Sequence, residues 1–143
     1  MTGERRATVR VTHRFSQSAE HVFDAWLDPA KAAKFLFTTA TGQMVRTEID
    51  ARTGGRFVFV DRRDGEDIEH VGEYLEIDRP RRLVFSFAVP KFSAEFTRVT
   101  IEIAPSGGGC ELTLIHEGVL PDYAVSTEGG WKMILEGLAA TLA

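Results

Sequence analysis

Between residues 7 and 15 Val9, Val11, His13 and Phe15 share one parity, and Thr8, Arg10, Thr12 and Arg14 fill the other. A two-residue period is that of a strand with one covered face, so a half-buried strand is predicted to open the fold. The period changes at Ser16-Gln17-Ser18. Ser18 is placed to cap a helix over Ala19 to Leu27, with Val22, Phe23 and Trp26 on one side. Asp28-Pro29 ends that helix, and Pro29 suits the first position of a second short one through about Phe35. The run Phe35-Leu36-Phe37 is too apolar for a solvated loop. It is expected to cover one end of the core or the mouth of a cavity.

From Gly42 onward the pattern is strand, turn, strand. Met44 to Asp50 alternates moderately, Thr53-Gly54-Gly55 signals a turn, and Arg56 to Asp61 is apolar on both faces. Asp64-Gly65 is a hairpin signal, the next strand runs from Ile68 to Ile77, and Asp78-Arg79-Pro80 turns into Leu83 to Val89. Pro90 must lie at a strand end, since it cannot donate to a sheet ladder. Phe96 to Ala104 alternates again, and Pro105 to Gly109 closes a hairpin into Cys110 to His116. Gly72 interrupts its strand, which fits a bend or a close approach.

Within the last twenty positions, Ala124 to Ala143, the period becomes 3.6 residues over Gly129 to Leu142. Trp131, Leu135, Leu138 and Leu142 recur at four, three and four, with Ile134 on the same side. Gly129-Gly130 is read as the first turn of that helix or as room for the sheet to approach. Short links between consecutive strands imply antiparallel pairing. The prediction is one α+β domain over residues 1–143: a curved antiparallel sheet of six to seven strands wrapped around a long C-terminal helix.

Composition narrows the partners. A net charge of −4 argues against nucleic acid or an anionic membrane surface. No run of about eighteen apolar residues exists, so no membrane insertion is expected. Cys110 is the single cysteine, which excludes an intrachain disulfide and fits a reducing compartment. Met1 to Arg6 lacks the apolar run of a secretory leader, so a cytoplasmic location is expected. An open antiparallel sheet also leaves an edge or a face open to a homodimer.

Several motifs together resemble the helix-grip superfamily (START-like, Bet v 1-like, SRPBCC), in the branch of the activator of Hsp90 ATPase C-terminal domain. They are Arg14-Phe15-Ser16, Val22 to Trp26 with Asp28-Pro29, Asp50 to Gly55, Gly72 to Ile77, Pro80 with Arg82-Leu83-Val84, Gly109 to His116, and Gly130-Trp131 with Leu135 and Leu138. Two positions depart from the family pattern. Phe35 and Phe37 stand where a tryptophan usually closes the second helix, and Cys110 stands at a common threonine. The resemblance implies an internal cavity between sheet and helix that accepts apolar ligands. It also implies two other roles found in such folds, a chaperone-binding module and a cyclase- or dehydratase-like enzyme.

The chemistry-bearing residues are few. His13, His21, His70 and His116 have no metal-ligand spacing and there is no cysteine pair, so no metal and no cofactor are expected. The glycine runs lack the lysine and hydroxyl of a phosphate cradle and read as hairpins. No nucleophilic triad can be assembled, so no catalytic residue is assigned. His70 and Tyr74 share a parity, and would serve as donor or acid–base groups only if that side faces a cavity. With His116, they are the residues an enzyme would use. Ten phenylalanines either fill a solid core or line a pocket. The expected lining is Phe23, Trp26, Phe35, Phe37, Phe57, Phe59, Tyr74, Phe85, Phe87, Trp131 and Leu135, around an apolar or amphipathic small molecule.

Overall fold

The computed structural model describes residues 6–38, 41–93 and 95–143. Met1 to Arg5, read above for a leader, lie outside them. Strand β1 (Ala7–Phe15) is followed by α1 (Ala19–Leu27) and α2 (Pro29–Phe35). Six strands come next: β2 (Gln43–Ile49), β3 (Arg56–Arg63), β4 (Glu66–Asp78), β5 (Arg82–Phe87), β6 (Thr97–Ser106) and β7 (Gly109–Val119). A single 3-10 turn, Pro121–Tyr123, leads into α3 (Ala124–Leu142).

All neighbouring strands run antiparallel in the order β1-β7-β6-β5-β4-β3-β2. Strands β2 to β7 follow one another as a meander, while β1 crosses to the far edge and pairs with β7. The helices cover one face, which gives the two-layer α+β helix-grip arrangement expected from the pattern.

Local chemistry sets the early boundaries. The Ser18 hydroxyl accepts the His21 N–H at 3.2 Å and starts α1. Asp28 closes α1 and accepts the Ala30 N–H at 3.0 Å, with Pro29 in the first turn of α2. Asp64 and Gly65, with φ of 50° and 79°, make the left-handed pair that a two-residue hairpin needs.

The core lies between the inner sheet face and the helices. Phe15, Phe23, Trp26, Phe59, Phe85, Leu112 and Leu114 are buried there with Leu135 and Leu138. Gly72 belongs to the same face. A Cβ at that position would stand 1.8 Å from the Ser86 carbonyl oxygen and 2.5 Å from the Phe57 ring. Close approach, rather than a turn, explains this glycine.

Two expectations are corrected. Helix α3 begins at Ala124, so Gly129 and Gly130 stand within it and not at its first turn. Nor do they admit the sheet, because a Cβ on either would meet nothing within 4 Å. Phe92 and Phe96 do not add to the interior: they are 70% and 60% exposed, on the link between β5 and β6.

Candidate functional site

Helix α3 divides into two unequal parts. From Trp131 onward it presents Trp131, Leu135 and Leu138 to the core, each buried. Its first seven residues, Ala124 to Gly130, offer small or polar side chains and no large inward one. Nothing from the helix fills the space beneath them. A cleft of about 610 Å³ opens there, between α3, Phe37 beyond α2, and the ends of β3, β4 and β5.

Aromatic rings make most of its wall. Phe37 holds the left-handed backbone at φ 60°, an uncommon state for a bulky residue that needs compensation from its surroundings. Its ring lies parallel to His70 at 4.7 Å and to Phe87 at 4.9 Å. It also meets Phe59 edge-on at 5.4 Å and Trp131 at 6.0 Å. Ring packing of this kind adds about 0.5–1.5 kcal/mol per pair beyond burial, enough to offset the backbone strain.

Two histidines reach this cleft, and both have defined partners. The Trp131 Nε1–H donates to His116 Nδ1 at 3.0 Å. The Thr97 hydroxyl donates to the Phe87 carbonyl at 3.0 Å, so its contact with His116 Nε2 at 2.7 Å places the imidazole proton on Nε2. The ring is therefore neutral, with both nitrogens engaged. Burial pushes its pKa down to about 4. A proton on Nδ1 would face the indole N–H, donor against donor.

His70 sits on β4 with Nδ1 3.4 Å from the Phe59 carbonyl and Nε2 3.5 Å from Arg63 Nη2. Its proton belongs on Nδ1, since an arginine only donates. Burial first, and then the neighbouring Arg63, bring its pKa to about 4 as well. Arg63 in turn donates Nε–H to Asp61 Oδ2 at 2.7 Å. That carboxylate is wholly buried, while the Arg63 side chain is 33% exposed.

The eleven residues expected to line a pocket separate into three groups. Phe35, Phe37, Phe87 and Trp131 line the 610 Å³ cleft. Trp26, Phe57, Phe59, Tyr74 and Phe85, with Phe37 again, surround an enclosed void of about 10 Å³, near the size of one water. Phe23 and Leu135 are buried in the core and line neither space. Phe37 is the partition between cleft and void. His70 and Tyr74 both turn inward, so the alternative of an outer, solvated parity is excluded. Tyr74 lies on the void side with its phenol pushed up by burial and by Asp50, away from the two histidines.

Sequence reasoning missed Arg63, Thr127, Gly130 and Ile134 as wall residues. A signal existed for Arg63: Phe57, Phe59, Asp61 and Arg63 follow one parity to the end of β3. A second cleft of about 480 Å³ adjoins the first, sharing Phe87, Val89, Phe92, His116, Ser126 and Thr127 and extending to Tyr123 and Glu95. Among the described residues no cluster of three or more His, Cys, Asp or Glu could hold a metal ion. None of their helices is long and apolar enough to cross a membrane.

The sequence profile of activator of Hsp90 ATPase homolog 1-like proteins matches residues 16–143. The chain belongs to that family. No curated protein matches it. Solved structures do. A Chromobacterium violaceum protein is 27% identical, with a TM-score of 0.86 over 94% of this chain and 96% of its own. A Staphylococcus aureus protein of unknown function has a TM-score of 0.86 at 16% identity, covering 96% of this chain and 94% of its own. An Aeromonas hydrophila protein described as AHSA1-like aligns with a TM-score of 0.82 at 19% identity, over 95% and 92% of the two chains. The last two likenesses concern the fold alone.

Proposed function

We propose that the protein binds an apolar or amphipathic small molecule in the cleft beneath the first turns of α3. The observation that carries this reading is the 610 Å³ space walled by Phe35, Phe37, Phe87 and Trp131. Its size falls within the roughly 300–1,000 Å³ of ordinary ligand pockets, and its few polar groups are placed to orient rather than to solvate a guest. Neither histidine favours proton transfer at neutral pH. Both are held as neutral rings near pKa 4, and His116 has no nitrogen to spare. Binding therefore suits the site better than acid–base catalysis. Cytoplasmic residence accords with a buried, unpaired Cys110.

The test is a titration with an environment-sensitive apolar dye, read through tryptophan emission. Trp131 lines the cleft and Trp26 lies behind Phe37, so Trp131→Phe separates the two signals. Wild type should bind dye at micromolar concentration with a change in Trp131 emission, while Trp26 emission stays constant. Absence of dye binding, or a response confined to Trp26, would sink the reading. The family's name carries a second reading, docking to an Hsp90-type chaperone. Exposed Phe92, Tyr123 and Met133 beside the clefts are the apolar face such docking would use. A pull-down with purified Hsp90 that recovers none of the protein removes this alternative.

A further inference from the structure

We propose that the guest is an amphipathic carboxylate, its anionic head on Arg63 and its apolar body along Phe37, Phe87 and Trp131. This rests on the binding reading above and names the chemistry of the same cleft. Four observations carry it. Among the described residues that line the cleft, Arg63 is the single formal charge. It stands on the inward parity of β3, the face otherwise given to Phe57 and Phe59. An arginine there loses hydration, and a surface position would have spared it that loss.

The second observation is how the guanidinium is held. Asp61, wholly buried, takes Nε–H at 2.7 Å. His70 takes an Nη2–H at 3.5 Å through its unprotonated nitrogen. Both supports approach from the protein side. The terminal amines of a one-third exposed side chain are left at the cleft wall. A planar fork fixed in this way matches the two oxygens of a carboxylate, and such a charge-assisted pair is roughly twice as strong as a neutral hydrogen bond.

Third, the histidine nitrogens of the wall offer no free acceptor to a cationic head. His116 spends Nδ1 on Trp131 and points Nε2–H at Thr97. His70 spends its acceptor nitrogen on Arg63. Among the described residues no acidic one lines this cleft. Beyond Arg63 the wall carries the hydroxyls of Thr38 and Thr127, which can donate to a carboxylate oxygen, whereas the Ser126 hydroxyl donates to the Tyr123 carbonyl at 3.1 Å.

Fourth, Phe37 stacks on His70 and on Phe87 with tilts of 11° and 4°, so an aromatic wall stands beside the cation. A planar ring attached to the carboxylate would lie along it.

The experiment compares three probes with one ring and different heads: naphthoate, naphthylmethanol and naphthylmethylammonium. Affinity for wild-type protein is measured at neutral pH by calorimetry, with the apolar dye as a displacement reporter. Naphthoate is expected to bind at least about tenfold tighter than the alcohol, with the ammonium weakest. Arg63→Met should bring naphthoate down to the affinity of the alcohol and leave the alcohol within about twofold. Because Arg63→Met removes one partner of the buried Asp61, the double variant Asp61→Asn/Arg63→Met is made alongside it. The wild-type series decides the question even if neither variant folds. Equal affinity for the three heads, or preference for the ammonium, overturns the proposal while dye binding preserves the cleft reading. If neither dye nor any naphthyl probe binds, both fall together.

Discussion

Acid should loosen this protein through His116, by an amount the geometry sets. In the native state the ring is neutral and its pKa lies near 4, against 6.5 for a free histidine. The unfolded chain thus takes up a proton below 6.5, and the native protein only below about 4. Between those values the unfolded state holds more protons, so stability is complete above pH 6.5 and falls as pH drops towards 4. At about 1.4 kcal/mol per pH unit, the full difference is about 3 kcal/mol. His70, displaced to the same value, contributes a similar loss over the same window. Against a domain stability of roughly 5–15 kcal/mol, the pair brings the protein close to unfolding by pH 4. The assay is urea unfolding at pH 7, 5.5 and 4.5 for wild type and His116→Gln. At pH 7 the variant should be about 2 kcal/mol less stable, since a flexible amide does not reproduce the fixed ring that joins the Trp131 indole N–H to Thr97. Towards pH 4.5 the gap should close, because wild type alone surrenders the His116 contribution. Curves that stay parallel across the range would refute both the neutral ring and its bond to Trp131.

Four further substitutions test the frame around the cleft. Gly72→Ala should cost about 3 kcal/mol in a thermal or urea melt, its Cβ meeting backbone at Ser86 and the ring of Phe57; an unchanged melting temperature would contradict that packing. Gly129→Ala and Gly130→Ala should each add up to about 1 kcal/mol, since both stand in α3 with open space around a Cβ; a loss of stability would deny their place inside the helix. Arg79→Ala should cost less than about 1 kcal/mol despite two bonds to Asp24 at 2.7 and 2.9 Å, because both side chains are about half exposed; a cost above 2 kcal/mol would refute this.

Much of the fold was legible because local rules and tertiary demands coincide. The alternation at Val9 to Phe15, the hydroxyl of Ser18, the carboxylate of Asp28 and the Asp64-Gly65 turn each specify an element without help from distant residues. The partner of β1 was not legible. Its ladder with β7 joins Phe15 to Cys110, and nothing in either segment alone encodes that pairing. The start of α3 was misplaced for a related reason. Glycine lowers helix propensity at Gly129 and Gly130, but the 3-10 turn at Pro121–Tyr123 and the burial of Trp131 carry the helix through them.

An aromatic-walled space was legible in the sequence, but its position was not. Inward parity marks Phe57, Phe59 and Phe85 equally well as core and as cavity wall. The side chains of the opposite layer decide between the two. Trp26 from α1 and Leu36 beyond α2 close over those three rings, leaving about 10 Å³. Opposite Arg63, His70 and Phe87 the helix supplies Thr127 and Gly130, and the space stays open. The informative residues were therefore the small ones on the helix, which carry no periodic signal.

On the proposed binding reading, a helix that both holds a sheet and leaves room for a guest needs a sharp boundary between its two tasks, and Trp131 stands at that boundary. Leu135 and Leu138 bury the segment that follows, and apolar burial of that kind contributes roughly 1.5–3 kcal/mol per side chain. The segment before it contributes little burial and would fray without a tether. The indole supplies one: its ring covers the cleft floor while its N–H fixes the helix to β7 through His116, and from there to β5 and β6 through Thr97 and the Phe87 carbonyl. A hydrogen bond between two buried side chains has direction, which apolar contact lacks, so it sets the height of the helix above the sheet. That height is the depth of the cleft. On that reading Trp131, His116 and Thr97 would set how large a guest is admitted, although the rings that would touch it are mostly elsewhere.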